Sequence, residues 1–62
     1  VTAVYSFDAE TATHADLKRG VTVVYRTRVV VAADSDAAAF LLAYDLAGAR
    51  PGVEVTALHW RI

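Results

Sequence analysis

The chain has 62 residues and a formal net charge of -1, so no global field draws it to nucleic acid or to an anionic membrane. It has no cysteine, which excludes disulfides and thiolate metal sites, and no stretch approaches the ~20 apolar residues of a membrane span. A chain this short buries only about 60% of the surface its unfolded form exposes, so a hydrophobic fraction of 56% points to burial against a partner subunit.

The first predicted element is a half-buried strand over Thr2 to Glu10. Ala3, Tyr5, Phe7 and Ala9 alternate with Thr2, Ser6, Asp8 and Glu10, and Val4 is the exception. The polar run Thr11 to Gly20 lacks useful periodicity and reads as a long hairpin loop, with a short turn over Ala15 to Gly20 closed by Gly20. Val21 to Ala33 gives the strongest strand signal, with Val21, Val23, Tyr25, Val29, Val31 and Ala33 on one face and Arg26 and Arg28 on the other. At ~3.3 Å per residue that strand would run ~43 Å, about twice the length of the helix that follows, so it must bend or overhang.

The helix has a defined start and stop. Asp34 or Ser35 can cap it, Asp36 suits the positive end of its dipole, and Gly48 and Pro51 end it. At ~100° per residue, Ala37, Phe40, Leu41, Tyr44 and Ala47 form one stripe, while Ala39, Leu42, Ala43 and Leu46 lie on the other side. Two apolar faces call for two partners: the chain's own sheet and a second chain. The final strand, Val53 to Ile62, changes parity midway, which implies a bulge near Ala57 or burial on both sides.

The predicted architecture is a single α+β domain over residues 1–62, of order β-β-α-β. It has a three-stranded mixed sheet with one helix packed on one face, in which the last two strands form a parallel crossover unit. The β-β-α-β order is analogous to half of a ferredoxin-like layout, an analogy of topology that implies no function.

Three candidate surfaces follow. Leu42, Leu46, Ala39 and Ala43 on the second helix face, with Trp60, form the leading interface. Arg26 and Arg28, with Lys18 and Arg19, are a candidate nucleic-acid contact. The competing account is cross-strand pairing of the arginines with Asp8 and Glu10, and a register that sets Phe7 beside Thr27 would put Asp8 opposite Arg26. Trp60 between His59 and Arg61 is a candidate platform for a planar ligand, although closing the core or a subunit contact explains it better.

His14, Asp16 and His59 have no spacing that suits a metal or an acid/base pair, and no catalytic or phosphate-binding motif is present. The expectation is therefore a small, non-enzymatic, self-associating interaction or regulatory module. It would be homodimeric, able to engage another protein, without cofactor or metal, and of the kind carried by phages and mobile elements. The start of the chain lacks the basic and apolar regions of a signal peptide, so a cytoplasmic location is the default expectation.

Overall fold

The computed structural model describes residues 1–21 and 23–61; the expectations for Thr22 and Ile62 lie outside them. Five elements follow in order: β1 (Ala3–Thr13), α1 (His14–Lys18), β2 (Tyr25–Ala33), α2 (Asp36–Ala47) and β3 (Val53–Arg61). The sheet order is β2-β1-β3, and both pairings are antiparallel.

The mixed sheet is thus corrected to an antiparallel one. β2 and β3 do run in the same direction, as a helical crossover requires, but β1 lies between them and no parallel ladder forms. The central strand β1 keeps the expected alternation around Phe7. Phe7 and Ala9 are fully buried, and the polar residues Ser6, Asp8 and Glu10 alternate with them.

Two further expectations change. The loop expected over residues 11–20 is replaced by a longer β1 and a one-turn helix. Thr13 caps α1 by accepting a hydrogen bond from the Asp16 amide at 3.1 Å, and Gly20 closes the turn at φ 77°. The long strand is shortened: its ladder with β1 begins at Tyr25 opposite Thr11, while β1 itself runs on to Thr13 beside β3. Val21, Val23 and Val24 have strand-like chemistry but lie outside the ladder, and they stay exposed.

The parity change in β3 is a bulge. Glu10 faces Ala57 while Thr11 faces Val55, so Thr56 is the extra residue, and its hydroxyl donates to the Glu10 carbonyl at 3.1 Å. The bulge lets Val53 and Val55 share a sheet face with Leu58 and Trp60.

Helix α2 begins where Ser35 Oγ accepts from the Ala38 amide at 3.2 Å. It ends at Gly48, where an added Cβ would come within 3.3 Å of Val55 Cγ2. Ala39 and Ala43 are fully buried and join Phe7, Ala9, Val29, Val31 and Ala33 in the core, with Tyr5, Ala38, Ala47 and Leu58 around it.

This core is thin, because Phe7 is the one large, completely buried side chain among the described residues. The molecule is a slab of 44 × 21 × 14 Å. Its radius of gyration is 12.6 Å, against about 10.6 Å for a compact chain of this length.

The alanine seam makes a testable contrast. Ala39→Leu forces a larger side chain into close packing and should cost about 1–3 kcal/mol. Ala37→Leu on the exposed side of the same helix should change stability by no more than about 0.5 kcal/mol. Urea unfolding followed by circular dichroism checks both, and equal effects would contradict the assigned docking face.

Candidate functional site

The helix meets the sheet on a different face from the one the stripes suggested. Ala39, Ala43 and Ala47 recur every fourth residue and form the contact line, so Ala39 and Ala43 are covered by the chain's own sheet. From the expected stripe, Leu41 is instead 65% exposed, and Ala37 also faces solvent.

Leu42 and Leu46 flank the seam at 44% and 58% exposure. Leu46 lines a hollow with Tyr25, Thr27 and Val29 of β2 and Thr11 of β1, so this flank lies on the β2 side. Leu42, one turn earlier, shares it. Phe40 and Tyr44 flank the other side, where Phe40 meets Phe7 edge-on at 6.1 Å and Gly48 approaches Val55 of β3.

Smallness selects the seam. Alanine lets the helix backbone come close to the sheet, and the bulky residues on either side then project past its contact area. The sequence pattern places these groups in angle around the helix, but it does not say that the alanines rather than the leucines face inward.

Trp60 lies on the helix-facing side of β3, opposite Phe7, and is 44% exposed. Its ring meets those of Phe7 and Tyr5 edge-on, each at 5.2 Å between centroids. Trp60 therefore closes one end of the core while leaving part of its ring free. The sequence reading did not single out Tyr5. Burial raises its phenol pKa, and the nearby Asp36 carboxylate adds to this through its charge and a hydrogen bond, with Asp34 contributing further.

The open face of the sheet carries the charges. Arg26 Nε donates to Glu10 Oε1 at 3.0 Å, and Arg61 reaches both Asp8 carboxylate oxygens at 3.3 Å. The register differs by two residues from the expected one: Phe7 faces Val29, Asp8 faces Arg28, and Glu10 faces Arg26. Core packing accounts for the shift, since it sets the large Phe7 ring beside buried Val29 rather than exposed Thr27. The cross-strand pairing of acids with arginines survives because it depends on parity, which a shift of two residues preserves.

Among the described residues Arg28 makes no ion pair. Arg19 is held by Asp16 at 2.8 Å, and together with the Thr13 hydroxyl this lowers the Asp16 pKa. Lys18 and Arg19 lie at the end of α1 rather than on the arginine face of β2. His14 opens α1, where its amide donates to the Gly52 carbonyl at 2.7 Å and its ring lies 3.9 Å from Glu54. His59 is on β3, across from Asp8.

Among the described residues no three His, Asp or Glu side chains cluster as metal ligands, and no helix is long and apolar enough to cross a membrane. Compared with known families, curated proteins and solved structures, the chain matches none. The geometry defines a small α+β protein with an open three-stranded antiparallel sheet and two helices.

The raised Tyr5 pKa has a definite sign. It contributes stability that is fully present below the ordinary tyrosine pKa and is lost as pH rises through the raised value. Asp36→Asn should lower the Tyr5 pKa without returning it fully to the ordinary value, because burial remains. Titration of the Tyr5 ring by NMR measures this, and an unchanged curve in Asp36→Asn would contradict the assigned cause.

Proposed function

We propose that the protein is a small, non-enzymatic interaction module whose working form is a homodimer. The observation that carries this reading is an excess of surface. A compact monomer of 6.6 kDa exposes about 3,900 Å², whereas this chain exposes 4467 Å², roughly 600 Å² more. A standard interface takes about 800 Å² from each partner, so the excess is of the size that one subunit contact removes.

The composition of that surface supports the same reading. Leu41, Leu42, Leu46, Phe40, Tyr44, Tyr25, Val30 and Trp60 are all exposed, while Phe7, Val29 and Val31 are the only side chains larger than alanine in the buried apolar core among the described residues. Covering a leucine fully is worth about 1.5–3 kcal/mol, which matters in a fold this thin. The nucleic-acid reading has less support, because Arg26 and Arg19 are already neutralised by Glu10 and Asp16. The planar-ligand reading would have to use only the part of the Trp60 ring that Tyr5 and Phe7 leave free.

The oligomeric state tests the proposal. Sedimentation equilibrium at micromolar concentration should give a mass twice that of the 6.6 kDa chain. A mass equal to one chain across the micromolar range would overturn it.

A further inference from the structure

The open sheet has two free edges, β2 and β3, and they are unequal. On the homodimer reading, on which this inference rests, we infer that the second copy covers the free edge of β2. Two chains pair there antiparallel about a two-fold axis at Val29, and two three-stranded sheets become one of six.

The state of each edge points to β2. Edge strands that must stay free are blunted by bulges, prolines or charge. β3 carries the bulge at Thr56, which breaks its regular spacing. β2 keeps an unbroken register with β1 over all nine residues, Tyr25 to Ala33, with no proline and no bulge. Its charges, Arg26 and Arg28, both stand on the open face, and Arg26 is paired with Glu10 of β1. Five of those residues are valine, threonine or tyrosine, side chains that suit a paired strand.

Helix placement makes a second, independent argument. A two-fold axis normal to the sheet keeps both helices on the same side. Helix α2 lies mainly over β2, less over β1 and least over β3. With strands ~4.8 Å apart, a helix above the β1–β2 midline lies ~4.8 Å from an axis just outside β2, which puts the two helices about 10 Å apart. That is the upper end of the 8–10 Å range in which helices pack. Leu42 and Leu46 project from the flank that would face the axis, and Tyr25 lies below them beside the hollow. Pairing at β2 would therefore cover the leucines that the chain's own sheet leaves half exposed.

Charge selects the register. An axis at Thr27 would set Arg26 opposite the partner's Arg28, and an axis at Arg28 would set that residue opposite its own copy. An axis at Val29 sets Arg28 opposite the partner's Val30 and Arg26 opposite the partner's Ala32, and it uses the whole strand. Val30 is 55% exposed in the single chain, so this pairing also covers an apolar side chain on the open face. The nine-residue edge, the two leucines, Tyr25 and Val30 are exposed groups that this one pairing would cover together.

The natural absence of cysteine makes the test clean. Arg28→Cys and Val30→Cys are both at exposed positions on the open face and should fold normally. Directly opposed residues in an antiparallel pair have Cα atoms about 4.5–5.5 Å apart, within disulfide range. Mixing the two variants and oxidising should give a mixed disulfide dimer well above the half share of random pairing. His59→Cys, on the open face of β3, should give none.

A predominance of either like-with-like disulfide overturns the register at Val29. A dimeric mass with no cross-link at 28 and 30, or with cross-linking of His59→Cys instead, overturns the β2 edge while leaving the homodimer reading intact. A monomeric mass removes both.

Discussion

One short helix has to cover three strands, and the alanines that bring it close to the sheet also limit how much it can cover. Ala39 and Ala43 share one buried cluster with Phe7, Ala9, Val29 and Val31, so the two layers meet along one line. Away from that line the helix offers leucines above a hollow on one side and a half-covered aromatic group on the other. The exposed leucines, the hollow beneath Leu46 and the partly free Trp60 ring all follow from this geometry. A wider seam of leucines would have lifted the helix from the sheet and filled a deeper core.

Much of the fold is legible in the sequence because its signals are local. The Ser35 cap, the end of α2 at Gly48, and the bulge near Ala57 each depend on a few adjacent residues. The pairing of acids and arginines across β1 and β2 follows from parity alone. What depends on distant partners is less legible. Val21, Val23 and Val24 read as strand, yet they lie outside the ladder, which starts at Tyr25 although β1 runs on to Thr13 beside β3. The central place of β1 is a choice between two edges of one strand, and no local pattern marks it.

The helix face is the instructive case. The two apolar stripes are real, but a stripe gives direction and not depth. Phe40, Leu41 and Tyr44 are more hydrophobic than Ala39 and Ala43, and on transfer free energy alone they would face inward. Close packing decides otherwise, since the chain joining α2 to β2 is short and only small side chains fit between a helix and sheet this near to each other. Of the five residues read as an interface, the sequence left the depth of each undetermined. Leu42, Leu46 and Trp60 are exposed, whereas Ala39 and Ala43 belong to the core.

A fold with so little interior of its own is stabilised to the extent that another surface completes it. On the proposed account that surface is a second copy, so folding and association are one linked equilibrium. The most direct measurement is the thermal midpoint of the intact chain over a hundredfold range of protein concentration. The account predicts a midpoint that rises steadily with concentration. A midpoint independent of concentration across that range would contradict it, because the single chain would then be stable without a partner.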